Sequence, residues 1–243
     1  MTTAPTRARS SSVVISLVPS VTETLLAWDV PVAACTRFCE QPDLPHVGGT
    51  KDPDIEAIIA LRPTLVVVDR EENRREDAEA LVAAGVPVHV THVTSLADVN
   101  PMLRDLAAAV GIDPSIEYLP VSPEPVWTSA FVAIWKRPWM SINDATYGAS
   151  VLATLGVTDV LGSHADVYPA VEPADVVALA PRLVLLPSEP YPFAERHLAE
   201  AAELFPGSIA VLLDGRDLFW WGARTPSALG RLRAVLRAAI APG

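Results

Sequence analysis

The amino-acid sequence predicts an α/β protein of two Rossmann-like lobes, each built on a parallel sheet. One helix leads from the first lobe toward the second, with a ligand cleft between them. Three observations carry the prediction. Short β-branched runs alternate with amphipathic stretches of helical length, which is the pattern of parallel strands connected by crossover helices. A stretch of the first half is echoed in the second. Between the halves, one helical stretch is followed by a proline-rich segment that no helix can traverse.

In the first half, strands are expected at Val13–Leu17, Val32–Cys35, Leu65–Asp69 and Val86–Val90, with helices near Val21–Trp28, Asp54–Leu61 and Arg74–Ala84. Ser20 is placed to cap the first helix, with Glu23 completing a capping box. The second half offers strands at Ala130–Trp135, Leu183–Leu186 and Ile209–Leu213, and helices near Tyr147–Leu155, Pro173–Leu179, Ala194–Leu204 and Ser227–Ile240. The echo pairs the run from Ile58 to Val68 with the run from Val176 to Leu186; in each a helix ends before a proline (Pro63, Pro181) and a buried strand follows. At the same offset Val14 and Ile15 fall opposite Val132 and Ala133, and Glu71 falls opposite Glu189.

Ser95 can cap a central helix whose apolar stripe is Leu96, Val99, Leu103, Leu106 and Val110, and Gly111 ends it. Pro114, Pro120, Pro123 and Pro125 then impose an extended crossing. The resulting organisation is a disordered tail over 1–12, an N-terminal α/β lobe over 13–94, the bridging helix and crossing over 95–127, and a C-terminal α/β lobe over 128–243.

Half of the 243 residues are hydrophobic, enough for a sizeable core, and the net charge of −11 argues against nucleic acid, whose phosphates demand a basic face. The two cysteines, Cys35 and Cys39, read as reduced thiols in a loop, since a single C-x3-C lacks the second ligand pair of a zinc site. His46, His89 and His92 supply imidazoles with no acidic ligand beside them, so no metal site is expected. The apolar run Val13–Val18 is about half the length of a secretory core and ends at Pro19, and no segment reaches the ~18 apolar residues of a membrane span. A cytoplasmic chain without membrane insertion is the expectation.

Ligands of open parallel sheets sit beyond the carboxyl ends of the strands, so the loops there hold the candidate site. The loop from Asp69 to Asp77 offers Arg70 and Glu72 as polar groups. Its counterpart, Ser188-Glu189-Pro190-Tyr191-Pro192-Phe193, holds two aromatic rings between prolines, a wall for a flat ligand. Five of the six tryptophans lie after residue 120, and Trp135, Trp139, Trp220 and Trp221 flank strand ends, the last two beside Gly222 and Arg224. Walker, dinucleotide, G-x-S-x-G and H-E-x-x-H signatures are absent, so no catalytic residue is assigned and no cofactor is required.

The segments Val14-Ile15-Ser16-Leu17-Val18-Pro19-Ser20-Val21-Thr22-Glu23, Val47-Gly48-Gly49-Thr50-Lys51 and Leu61-Arg62-Pro63-Thr64-Leu65-Val66-Val67 resemble the helical-backbone (class III) periplasmic-type substrate-binding proteins of cobalamin, siderophore and haem uptake, most closely the cobalamin branch. The resemblance spans nearly the whole chain. It implies two lobes bridged by one long helix and a bound corrinoid or other metal chelate. It also marks departures: the bridging helix is shorter, Asp69 stands where cobalamin receptors carry an aromatic, and Arg74 and Arg75 stand beside Glu76 where transport members carry an acidic docking residue, which argues against docking to an ABC permease. The expected function is non-catalytic small-molecule binding, with Trp135, Trp139, Tyr191, Phe193, Trp220 and Trp221 as apolar walls and Arg70, Glu72 and Arg224 as orienting groups. Two alternatives remain at this level. One is a chelatase-like enzyme using Glu72, Glu189 and Asp214, and the other is an exported transporter component whose true start lies upstream.

Overall fold

The computed structural model describes residues 12–113 and 122–241. All but the last residue of the tail expected over 1–12 lie outside the described residues, as do Pro114 and Pro120 of the crossing. The chain divides into two compact units, the first taking in the described residues up to His92 together with those from Met102 to Asp113, the second taking in Val93–Pro101 and the residues from Ser122 onward.

In the first unit β1 (Val14–Ser16), α1 (Pro19–Ala27), β2 (Val32–Cys35), α2 (Ile55–Ala60), β3 (Leu65–Asp69), α3 (Arg75–Ala83) and β4 (Val88–Thr91) follow one another. The strands form a parallel sheet in the order β2-β1-β3-β4. Its core gathers Ile15, Leu17, Ala34, Val47, Ile58, Val66, Val68 and Leu81. The start of α1 differs from expectation. Pro19 occupies its first turn and Val18 its N-cap, so Ser20 lies inside the helix with its hydroxyl unpartnered. Proline at the first helical position has no N–H to leave unsatisfied and its φ is already helical, which lets the helix begin one residue before the serine.

The central helix α4 (Leu96–Val110) carries the expected stripe, with Leu96, Val99, Leu103 and Leu106 buried. Asp98 organises its start, accepting from the Ser95 hydroxyl at 2.8 Å and from the Ser95 and Thr94 N–H groups. Pro101 lies inside the helix, where its missing N–H costs one backbone hydrogen bond, and the division between the two units falls between it and Met102.

The second unit contains β5 (Thr128–Val132), β6 (Trp139–Met140), α5 (Tyr147–Thr154), β7 (Val157–Asp159), β8 (Ala170–Val171), α6 (Pro173–Ala178), β9 (Leu183–Pro187), α7 (Leu198–Leu204), β10 (Ile209–Leu213), α8 (Gly215–Phe219) and α9 (Thr225–Ile240). Its main sheet is parallel in the order β10-β9-β5-β7, and β6 and β8 form a separate antiparallel pair. Read from its other edge, the order β7-β5-β9-β10 repeats that of the first sheet. The unit's entry is fixed by Trp127, whose indole N–H donates to the Leu155 carbonyl at 2.7 Å and whose ring lies 3.9 Å under Arg237. Glu124 is held by Arg233 and Arg237, which lower its carboxyl below the usual range.

The echo in the sequence is an echo in backbone. After α2 and α6 the chain passes through Arg62 at φ 47° and Ala180 at φ 48°, a left-handed conformation that releases it from the helix before Pro63 and Pro181. Beyond each following strand the same hydrogen bond recurs: Arg70 N–H to the Thr91 carbonyl and Ser188 N–H to the Leu213 carbonyl, both at 3.0 Å. The first strands need a correction. Val14 pairs with Leu65 and Ala130 pairs with Leu183, so Val14 corresponds to Ala130 and not to Val132. A shift of two residues keeps every side chain on its own face of the sheet, which is why hydrophobic pattern alone does not fix it.

Candidate functional site

At the carboxyl edge of the second sheet the loop after β9 is the organising segment. The Glu189-Pro190 peptide is cis, and the Ser188 hydroxyl accepts from the Gly215 N–H at 2.9 Å, drawing the loop onto the start of α8. A side chain at 215 would collide with the Glu189 backbone N at 2.4 Å, so glycine is required there for the two loops to meet. Glu189 accepts from the Trp220 indole N–H at 2.9 Å, and Arg224 lies 5.3 Å over the same ring while donating to Asp217. Asp217 is buried and also accepts from Arg231, so two guanidiniums balance it.

Two residues further along, Tyr191 meets Trp135 edge to face at 5.4 Å. Trp135 is 43% exposed, and Tyr191 is partly buried against Phe193 and His197. Burial and the neighbouring Arg196 and Lys136 hold the His197 imidazole below its usual pKa, and its ring accepts from the Ala194 N–H at 3.0 Å.

The six aromatic candidates therefore separate. Trp139 and Phe193 stack at 5.9 Å inside the core cluster with Phe131 and Phe205, and Trp221 is 4% exposed. These three are core side chains with little surface left for a ligand; Trp139 also meets Phe205 edge to face at 5.3 Å and Phe193 meets His197 at 5.4 Å. Trp135, Tyr191 and Trp220 retain exposed surface, and Trp135 and Trp220 both contact the loop after β9 that carries Tyr191. Trp220 and Trp221 follow the short helix α8, not a strand end, yet they still face opposite ways, Trp220 part-exposed and Trp221 buried.

Arg70 and Glu72 lie in the first unit, at the carboxyl edge of its sheet, with Arg70 exposed and Glu72 partly buried. Asp69, marked in the sequence only as a departure from the cobalamin receptors, and Asn73, which the sequence did not single out, build their loop. Asp69 accepts from the Glu71 N–H at 2.8 Å and from the Thr91 hydroxyl at 2.8 Å. Asn73 accepts from the Asp69 N–H and donates to the carbonyls of Thr50 and Leu17, stapling the loops after β1 and β3 to the turn at Gly48 and Gly49. Asp69 and Asn73 four apart after a strand is the available signal, since short polar side chains in such loops bond back to the backbone. Gly48, at φ 90°, bridges to Pro53 and so forms the expected turn before α2.

Two of the three carboxylates weighed for acid–base work, Asp214 and Glu189, are engaged elsewhere. Burial pushes the Asp214 carboxyl up, but the Arg216 side chain and backbone N–H outweigh it and hold it below the usual range. Glu189 is bonded to Trp220. Among the described residues no group of three or more His, Cys, Asp or Glu side chains is placed to hold a metal ion, and no helix is long and apolar enough to cross a membrane.

Comparison with known proteins gives a consistent likeness. A family model described as "Periplasmic binding protein" matches residues 14–113. The chain is 23% identical over 197 residues to a vitamin B12-binding protein of Pectobacterium carotovorum subsp. carotovorum (strain PC1), covering 73% of this chain and 71% of that one. To a vitamin B12-binding protein of Yersinia pestis (strain Pestoides F) it is 29% identical over 106 residues, which span only 38% of that protein. The periplasmic vitamin B12 binding protein BtuF of Vibrio cholerae superposes with a TM-score of 0.74 at 17% identity, covering 93% of this chain and 96% of that one. The periplasmic heme-binding protein RhuT from Roseiflexus sp. RS-1 gives 0.76 at 21% identity, covering 95% and 99%. The fold is thus the one these periplasmic binding proteins share.

Proposed function

We propose, with the helical-backbone binding-protein fold as premise, that this chain is a non-catalytic binding protein for a planar macrocyclic metal chelate, a corrinoid or a haem. The observation that carries the reading is the cluster at the carboxyl edge of the second sheet. There Trp135 and Tyr191 present ring surface and Trp220 is locked in orientation by Glu189 and Arg224. Rings immobilised before a ligand arrives lose little entropy on binding, so their stacking energy goes into affinity. The relatives named for vitamin B12 and the neighbours named for vitamin B12 or heme favour the same ligand class.

A corrinoid is the first candidate. Several cations beside the wall are matched by carboxylates: Arg224 and Arg231 by Asp217, Arg216 by Asp214, and Lys136 by Glu200. Each of these cations already has a carboxylate partner that a haem propionate would have to displace, whereas the amide rim of a corrinoid requires no cation. Permease docking is disfavoured at α3, where the Arg74 guanidinium lies 3.7 Å from the carboxylate of Glu76, the acidic group at the docking position. Mass spectrometry and absorption spectroscopy of protein purified gently from its native host test the proposal. A retained tetrapyrrole or corrin chromophore supports it, and a bound acyclic metabolite would refute it.

A further inference from the structure

Two arginines lie beside the Trp135–Tyr191 pair without a carboxylate partner. Arg137 follows Trp135 by two residues, in a turn that closes where the Met140 N–H donates to the Trp135 carbonyl at 3.1 Å, so its backbone lies within about 7 Å of that of Trp135. It is exposed and holds φ 66°, a region where glycine is relaxed and any other residue is strained, so the arginine side chain is kept there at a cost. Arg196, also exposed, reaches back to the loop after β9 and donates to the carbonyl of Pro192, the residue after Tyr191, at 3.4 Å. Among the described residues neither guanidinium makes an ion pair: Glu200 is engaged by Lys136, and Glu195, adjacent to Arg196 in the chain, does not bond to it. Burial first, and then the charges of Arg196 and Lys136, hold the His197 imidazole beside Tyr191 below its usual pKa, as a cationic surrounding does.

The ordinary alternative is a pair of solvated arginines. The chain carries 29 acidic residues against 18 basic ones, however, and Arg216, Arg224, Arg231 and Lys136 at the same edge have each acquired a carboxylate. Acidic side chains are in surplus, so two arginines left unpaired beside exposed ring surface keep their donors for a ligand. We propose that Arg137 and Arg196 bind an oxyanion carried at the edge of the macrocycle, and that in a corrinoid this oxyanion is the phosphodiester of the nucleotide loop. The assignment rests on the reading of the aromatic cluster as a corrinoid wall. A phosphodiester bears one negative charge shared by two free oxygens, and each can accept from one guanidinium, a planar donor set that matches phosphate geometry. Stacking on Trp135 and Tyr191 does not distinguish one corrin ring from another. The arginines therefore select the complete corrinoid over one that lacks the nucleotide loop.

The test uses the full chain, as wild type, Arg137→Gln, Arg196→Gln and the double variant, dialysed to equilibrium against cyanocobalamin, dicyanocobinamide and haemin. Dicyanocobinamide keeps the corrin ring and lacks the nucleotide loop with its phosphodiester. Each single variant should bind cyanocobalamin about tenfold more weakly, the effect of one charge-assisted hydrogen bond at an exposed position, and bind dicyanocobinamide as wild type does. In the double variant the preference for cyanocobalamin over dicyanocobinamide should shrink further, and added sodium chloride should weaken cyanocobalamin binding less than in wild type. Both side chains are exposed, so unchanged melting temperatures separate lost recognition from lost fold. Equal losses for the two corrinoids, or no loss for cyanocobalamin, would overturn the proposal. A loss confined to haemin would assign the arginines to the haem carboxylates and overturn the phosphodiester. Failure of wild type to bind either corrinoid would refute the reading of the wall itself, and the phosphodiester assignment would fall with it.

Discussion

Asp159, at the end of β7, is a carboxyl group in the wrong medium. It is 7% exposed; its Oδ1 accepts from the Leu161 N–H at 2.9 Å, and its Oδ2 has no partner among the described residues. Burial raises its pKa to about 7, the Leu161 N–H opposes the shift, and the nearby charge of Asp144 adds to it. Because the folded-state value lies above the unfolded one, near 3.9, the folded protein holds the proton more tightly. Stability is therefore greatest at and below pH 4, falls as the pH rises toward 7, and levels off above it. At ~1.4 kcal/mol per tenfold change in proton affinity the full loss is on the order of 4 kcal/mol, an upper value since local relaxation reduces it. Asp159→Asn keeps the acceptor for Leu161 and removes the titration. With about 2–4 °C per kcal/mol for a chain of this size, the variant should melt roughly 5–15 °C above wild type at pH 8 and about level with it at pH 4.5. His197, whose pKa is lowered by burial, contributes in the opposite sense, its stability rising with pH up to its unfolded value. That term is common to both proteins and cancels in their difference. Melting curves by circular dichroism from pH 4.5 to 8 supply the measurement. Parallel curves for wild type and variant would refute the reasoning.

Three further outcomes follow from the same structure. Trp221→Ala should cost roughly 3–5 kcal/mol of stability by leaving a cavity, whereas Trp220→Ala should melt within a few degrees of wild type, read by the same thermal melts. Asn73→Ala removes hydrogen bonds to the Asp69 N–H and to the Leu17 and Thr50 carbonyls; a loss of about 1–3 kcal/mol in urea titration, with faster amide exchange in the loop from Asp69 to Arg74, is expected. Arg62→Gly and Ala180→Gly relieve the left-handed strain after α2 and α6, and each should raise the urea midpoint by the equivalent of about 0.5–1 kcal/mol.

The sequence made the parallel sheets legible because β1, β3, β5, β9 and β10 are runs of apolar, often β-branched residues separated by helical periods. The proline-terminated helices α2 and α6 revealed the repeat. It concealed β6, β7 and β8, which at two or three residues are too short to show a period, and α8, whose five residues carry no amphipathic stripe. Aromatic type and loop position singled out Trp135, Tyr191 and Trp220, which keep exposed surface, together with Trp139, Phe193 and Trp221, which are buried. Asn73 was overlooked, and Asp69 was marked only as a missing aromatic, because their roles lie in bonds to segments distant in sequence.

The central claim is that Trp220, held by Glu189 and Arg224, forms part of the wall against which a planar macrocycle binds. Equilibrium dialysis of wild type and Trp220→Ala against cyanocobalamin, with haemin in parallel, tests it most directly. The account predicts saturable one-to-one binding to wild type. The variant should bind about 5–150-fold more weakly, the equivalent of the roughly 1–3 kcal/mol that stacking on an aromatic ring contributes, at nearly unchanged melting temperature. Absence of saturable binding to either macrocycle, or equal affinity in both proteins, would contradict it.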